Sequence, residues 1–302
     1  MKTDSLPVIL DTDIGTDIDD ALALAYLLRQ PQCRLLGITT VTGQPRARAA
    51  LADALCQAAG RTDIPIHAGQ DVGINLGLVQ PECDQAAILA HHPHRSPDDF
   101  PPYSAVAFLR EQIHAHPGEI TLLTIGPLTN IGVLFTFDPE TPKLLKRLVL
   151  MGGLFEWGVR SMCREWNIRC DPVASAIVFR APVPELVAIG LDVTTQCRMP
   201  TAEVIARLHQ KEGFLHLAAD AAEIWARKGR AQVTFHDPLA AAVVFQPDLC
   251  EYKTGHVEIE LQSVRLAGAT LFDSQAPDPR HRIASAVNAS AFFDHYFQHL
   301  TG

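Results

Sequence analysis

The sequence predicts an α/β fold, a single domain over residues 1–302 with a mainly parallel central sheet flanked by helices. Three observations predict it. Short apolar, β-branched runs alternate with helix-length runs through most of the chain, the order that builds parallel strands joined by crossover helices. No Pro/Gly/Ser-rich linker divides the 302 residues, and with 47% of them hydrophobic the chain can bury one large core. The densest cluster of charge, Asp11-Thr-Asp13-Ile-Gly15-Thr-Asp17-Ile-Asp19-Asp20, directly follows the first strand-like run, where open α/β sheets bind ligands.

The elements follow in order. Val8-Ile9-Leu10 reads as a short buried strand, and Ala21 to Leu28 as a helix that stops before Pro31. Arg34 to Val41 is β-rich, Ala47 to Ala59 is an Ala-rich helix ending at Gly60, and Ile64 to His67 is a further strand. From Gly69 to Pro102 the pattern dissolves into a long loop centred on His91-His92-Pro93-His94. Tyr103 to His114 is helical, Glu119 to Ile125 a strand, and Gly126-Pro127 opens the next helix with proline in its first turn. Leu148 to Met151 is a buried strand, Leu154 to Cys170 a structureless stretch, Asp171 to Arg180 a helix and Leu186 to Val193 a strand. Helices are predicted over Thr201 to His209, Phe214 to Lys228, Pro238 to Phe245 and Asn288 to His299, with one strand over His256 to Leu261.

Five carboxylates within ten residues would repel one another unless some stay protonated or a divalent ion neutralises them. Ligation by oxygen alone favours Ca²⁺ or Mg²⁺ over zinc or copper. Asp19 and Asp20 fall in the first turn of the predicted helix, where the positive end of the dipole favours anions. An EF-hand loop fits poorly, because its sixth-position Gly is Thr16 here and its twelfth-position Glu is Leu22. A solvated acidic loop and a Mg²⁺-dependent phosphatase with an Asp nucleophile stay open at this point.

A net charge of −9 argues against nucleic acid or an anionic membrane as partner and points to a small ligand that is uncharged or cationic. No apolar run reaches the length of a membrane span and Met1 to Ser5 lacks the apolar core of a signal peptide, so a cytoplasmic protein is expected. Seven cysteines without a C-x-x-C pair indicate reduced, mostly packed thiols rather than disulfides or a zinc site.

With these elements placed, the chain resembles the nucleoside hydrolases, the inosine-uridine-preferring N-ribohydrolases. The resemblance covers nearly its whole length. It rests on Asp11-Thr-Asp13, Asp19-Asp20-Ala21, Ile38-Thr-Thr-Val-Thr-Gly43, Gly126-Pro-Leu-Thr-Asn130, Met151-Gly-Gly153, Glu165-Trp-Asn167, Asp171-Pro172 and Phe235-His-Asp-Pro238, in the family's order. It implies a Rossmann-related fold and a homo-oligomer, a dimer or tetramer, serving purine and pyrimidine salvage. It also implies one Ca²⁺ per subunit, held by Asp13, Asp20, the carbonyl of Ile125 and Asp237, with two ribose hydroxyls completing the sphere. The implied reaction hydrolyses the N-glycosidic bond of a nucleoside, with Asp13 as general base toward water and His236 as general acid toward the departing base. Asp19, Gln44, Met151, Glu165 and Asn167 would bind the substrate, and Asp11 would orient the acidic turn by hydrogen bonds.

The same comparison marks departures. The acidic turn is two residues longer than the family's, Gln44 replaces an Asn, Val159 stands where a ribose-binding Asn is expected, and the His-rich loop replaces a His-Gly stretch. A thinned sugar shell predicts poor turnover of common nucleosides and better turnover of a modified nucleoside or another N-riboside. It also keeps open a catalytically weak nucleoside-binding protein on the same scaffold. Of the remaining singled-out residues, His91, His92 and His94 read as a solvated loop, Trp157 as a residue that stacks on a base or closes the pocket, Trp166 as packing inward, and Asp17 as a surface acid.

Overall fold

The structure, a computed structural model, describes residues 5–75, 78, 80–156, 164–210 and 213–301. Its strands are β1 (Leu6–Thr12), β2 (Cys33–Thr40), β3 (Ile66–Ala68), β4 (Thr121–Thr124), β5 (Arg147–Met151), β6 (Leu186–Ile189), β7 (Arg198–Pro200), β8 (Gln232–Thr234), β9 (Cys250–Ile259), β10 (Thr270–Asp273) and β11 (His281–Val287). Nine of them form one sheet in the order β10-β9-β11-β6-β5-β4-β1-β2-β3. Every pairing from β11 to β3 is parallel, and only β9 runs antiparallel to its neighbours β10 and β11. Chain and sheet order reverse at β1, which lies between β2 and β4 and so marks a topological switch point.

Alternation along β1 sends Val8 and Leu10 into one apolar core and Ile9 into the other. The first core holds α1 (Asp19–Arg29), α2 (Pro45–Ala58) and the later helices α8 (Thr201–His209), α9 (Phe214–Ala226), α10 (His236–Val243) and α11 (Ala289–Thr301). The second holds α3 (Ala105–Ala115), α4 (Thr129–Phe137) and α6 (Pro172–Arg180). Helices thus cover both faces, as a parallel sheet requires. Among the described residues no helix is long and apolar enough to cross a membrane, and the six described cysteines are free, five of them buried.

Several expectations need correction. Pro127 does not lie in a helical first turn, because α4 begins two residues later behind Leu128. The strand expected over Leu186 to Val193 ends at Ile189. Gly190 follows, and Leu191–Thr194 winds into a helical turn, α7, whose Asp192 accepts from the amides of Phe155 and Glu156. The stretch read as structureless before Cys170 contains α5 (Trp166–Cys170), started by the Glu165 side chain accepting from the amides of Asn167 and Ile168. The long loop carries two 3₁₀ turns, Asp84–His91 and Pro97–Asp99. Strands β7, β8, β10 and β11 had no expectation at all; their alternation is masked by polar and charged residues on half-exposed faces.

Candidate active site

The carboxyl ends of β1, β4 and β5 open into a cavity of about 510 Å³ at the switch point. Asp13, Asp19, Asp20, Ile125, Met151, Glu165, Asn167, His236 and Asp237 all line it, so every candidate residue except Gln44 converges on one space. Gln44 is exposed and turned away. Its backbone is left-handed (φ 63°), and its side-chain oxygen accepts from the Cys83 amide at 3.0 Å. Gln44 does not line the cavity, so the contact expected of the Asn it replaces is not restored there, which is in keeping with a thinned sugar shell. Val159 and Trp157 lie outside the described residues.

Three buried carboxylates, from Asp19, Asp20 and Asp237, offer oxygens all within 4.8 Å of one another. The two first-turn acids come from α1. Asp237 comes from the first turn of α10, which packs beside α1 and ties back through the Asp237 amide to Asp19 Oδ2 at 3.4 Å. Thr12 Oγ1 donates to Asp20 Oδ1 at 2.5 Å. Asp19 therefore joins the closest group, whereas Asp13 stands outside it, with Oδ2 accepting from Gln80 Nε2 at 2.6 Å. A Cβ on Gly126 would come within 2.9 Å of Asp13 Oδ1, so the glycine is what lets β4 approach the acidic turn. The Ile125 carbonyl accepts from Asn167 Nδ2 at 2.9 Å, and the same nitrogen donates to the Met151 carbonyl at 3.1 Å.

Burial dominates the electrostatics. Asp19, Asp20 and Asp237 are held well above the usual carboxylate range by desolvation and then by neighbouring carboxylates, chiefly Asp17 for Asp19, Asp13 for Asp20 and Asp19 for Asp237. Desolvation lifts Asp13 to about 6 against the pull of the Arg48 guanidinium and the Gln80 hydrogen bond, and lifts Glu165 to about 7. His236 moves the other way. Burial pushes it down to about 4, so it is neutral at pH 7, with Nδ1 2.7 Å from Thr194 Oγ1. Asp11 sits within β1 rather than in the cavity, pushed up to about 7 by burial. Its Oδ2 accepts from Thr39 and Asn130, which gives the Gly126 to Asn130 motif a structural task.

Such a cluster predicts a pH dependence. These carboxyls have folded pKa values raised above their unfolded values, so their protonated forms stabilise the fold at low pH and that stability is lost as pH rises from about 4 through about 7. A bound cation would offset the loss. The chelated protein is expected to melt progressively lower between pH 5 and pH 8. Added Ca²⁺ should raise Tm more at pH 8 than at pH 5, by on the order of 5 °C at a hundredfold excess over Kd. Equal calcium shifts at both pH values in differential scanning calorimetry would contradict it.

Other residues at the cavity were not foreseen. Trp166, expected to pack inward, is 36% exposed and faces the cavity, with Arg169 over its ring at 5.9 Å. Asp17 is exposed, as a surface acid should be, but it lines the same space, as do Trp225, Arg230 and Gln80. His92 meets Asp220 of α9 at 2.9 Å, and His94 meets the His92 carbonyl at 2.8 Å, so the His-rich loop is anchored outside the cavity. Arg48 is the largest omission. Fully buried, it reaches the carbonyls of Asp13 (2.5 Å), Ile14 (3.1 Å), Thr42 (2.7 Å), Gly43 (2.7 Å) and Pro81 (2.8 Å), and the Thr16 hydroxyl (3.0 Å). The signal was in the sequence: Arg48 lies in phase with Leu51 and Leu55, on the apolar face of an Ala-rich helix.

The family model for inosine-uridine preferring nucleoside hydrolases matches residues 8–294. The chain belongs to that family. This nucleoside hydrolase is 35% identical to the non-specific ribonucleoside hydrolase RihC of Escherichia coli, over 89% of this chain and 88% of that one. It is 32% identical to uridine nucleosidase 1 of Arabidopsis thaliana, over 88% and 81% of the two chains. Among solved structures it is similar to a purine-preferring ribonucleoside hydrolase from Gardnerella vaginalis, with a TM-score of 0.83, 25% identity and coverage of 97% and 98%. The nucleoside hydrolase is accordingly a hydrolase acting on N-glycosyl compounds, and the phosphatase reading of its acidic turn falls.

Proposed function

We propose that this nucleoside hydrolase cleaves the N-glycosidic bond of ribonucleosides with one Ca²⁺ per subunit and Asp13 as general base. The observation that carries the reading is the buried carboxylate cluster at the switch point, whose members cannot all ionise at neutral pH without a cation beside them. Asp20, Asp237, the Ile125 carbonyl and Asp13 would hold the ion, an all-oxygen set that suits calcium. When bound, it supplies positive charge that acidifies water and anchors vicinal sugar hydroxyls.

The chain's own residues do the rest. Asp13 takes the proton of the water whose oxygen bonds to C1′, while the electrons of the C1′–N bond leave with the base. Asp19, Glu165 and Asn167 orient the ribose, so binding remote from the reacting bond fixes its geometry. Asn167 also steadies the Ile125 and Met151 carbonyls. His236, expected as general acid, is neutral at pH 7, so we read it as donating a hydrogen bond to the departing base, which takes its proton from water. Family likeness is the ground for reading the protein as a cytoplasmic homo-oligomer in nucleoside salvage.

Reducing-sugar release from a panel of purine, pyrimidine and modified ribonucleosides, with chelator and with Ca²⁺ restored, tests the reading. The wild type should release ribose only with metal, and Asp13→Asn should slow kcat by about 10²- to 10⁴-fold. Near-native turnover by Asp13→Asn would place the base elsewhere. Nucleoside binding without turnover would make the chain a binding protein on an enzyme scaffold.

A further inference from the structure

We propose that Gln80 is the positioning residue for Asp13, an assignment that rests on the reading of Asp13 as base and ligand. Two glutamines near the acidic turn divide the work. Gln44 points away from the cavity and holds the Cys83 amide, while Gln80, from the loop that Cys83 belongs to, reaches in and donates from Nε2 to Asp13 Oδ2 at 2.6 Å. The Gln80 main-chain amide is itself fixed on Thr42 Oγ1 at 3.2 Å. Next to it, the Pro81 carbonyl accepts from Arg48 Nη2 at 2.8 Å and from Thr16 Oγ1 at 3.2 Å. Both ends of the reaching side chain are therefore anchored.

The chemistry of the amide suits this task. A neutral donor holds Oδ2 of Asp13 in place, while Oδ1 lies beside Gly126 with no side-chain donor to it among the described residues. A lysine or arginine there would neutralise the carboxylate and weaken it as a base, and a glutamate would add a further negative charge to the cluster. Gln80 thus sets the direction in which Asp13 presents its free lone pairs, in the way that partners behind metal ligands orient them.

Wild type, Gln80→Met, Gln80→Glu, Asp13→Asn and the Gln80→Met/Asp13→Asn double variant should be compared on whichever ribonucleoside the wild type turns over best. Three readouts apply: kcat and KM, Ca²⁺ affinity by calorimetry, and Tm. Gln80→Met is expected to lower kcat by about 10- to 100-fold and to weaken Ca²⁺ binding, with KM within about threefold and Tm within about 2 °C. In the Asp13→Asn background the same change should cost nothing further, because the group it orients is gone. If both Gln80 variants keep kcat and Ca²⁺ affinity within about threefold of wild type while Asp13→Asn is inactive, the assignment is overturned and the role of Asp13 stands. An equal further loss in the Asp13→Asn background overturns it too, since a general packing role would behave that way. Full activity in Asp13→Asn would instead remove the premise.

Discussion

Arg48→Met is expected to lower stability by about 3–5 kcal/mol, a fall in Tm on the order of 10 °C at saturating Ca²⁺. The guanidinium is fully buried and faces six oxygen acceptors, five of them main-chain carbonyls, drawn from three separate segments. Those segments are the acidic turn, the turn at residues 42–44 and the loop at Pro81. The middle turn takes left-handed backbone at Thr42, Gly43 and Gln44 in succession, and two of these are not glycine. That conformation is costly. Arg48 Nε holds the carbonyls of Thr42 and Gly43 at 2.7 Å each, which fixes the turn in place. Methionine fills a similar volume and leaves all six acceptors without this donor. Lysine keeps the charge but carries its donors on one nitrogen and cannot span the three segments, so Arg48→Lys should recover little. Thermal unfolding with calcium present decides the matter; a Tm within about 2 °C of wild type for Arg48→Met would sink the assignment. Activity should fall with stability, because the Asp13 carbonyl is one of the six acceptors and the base would lose its backbone support.

Asp20→Asn is expected to abolish calcium binding and cut kcat/KM by about 10³-fold, yet to stabilise the metal-free protein. The two signs share one cause. In the folded state burial and the charges of Asp13 and Asp19 raise the Asp20 carboxyl well above its ordinary range. Without a cation, ionising it at neutral pH therefore costs folding free energy. An amide has no proton to lose, so in chelator at pH 8 the variant should melt above wild type. With calcium the order should invert, since only the wild type gains binding free energy. Asp237→Asn should behave alike, as its carboxyl is raised by burial and by the charges of Asp19 and Asp20. Wild-type calcium affinity in Asp20→Asn by calorimetric titration would refute the ligand assignment. A lower Tm than wild type in chelator at pH 8 would refute the account of the cluster's electrostatics.

Much of this was legible in the sequence because it is local. An apolar run followed by acids and then a helical period already placed the acids of the 11–20 turn at a strand end, and β1 and α1 form there. Glu165, Asn167, His236 and Asp237 were marked by the motifs Glu165-Trp-Asn167 and Phe235-His-Asp-Pro238 rather than by periodicity, and all of them meet in the cavity. Polar patterning failed where a strand is half exposed: β11 looks irregular as a sequence and yet bridges the parallel and antiparallel parts of the sheet.

Which residue touches which was another matter. From the sequence, Gln44 looked like the glutamine of the site, and no local feature distinguished Gln80, which is 67 residues from the carboxylate it holds. Asp19 was expected only as a sugar contact, and the fold also sets its carboxylate against Asp20 and Asp237, because α10 packs beside α1 and brings a helix start to a helix start. Periodicity and charge density are short-range properties of the chain and survive being read in one dimension. Hydrogen-bond partners at a switch point depend on loops distant in sequence arriving together at the carboxyl ends of parallel strands, and only the folded backbone sets those distances.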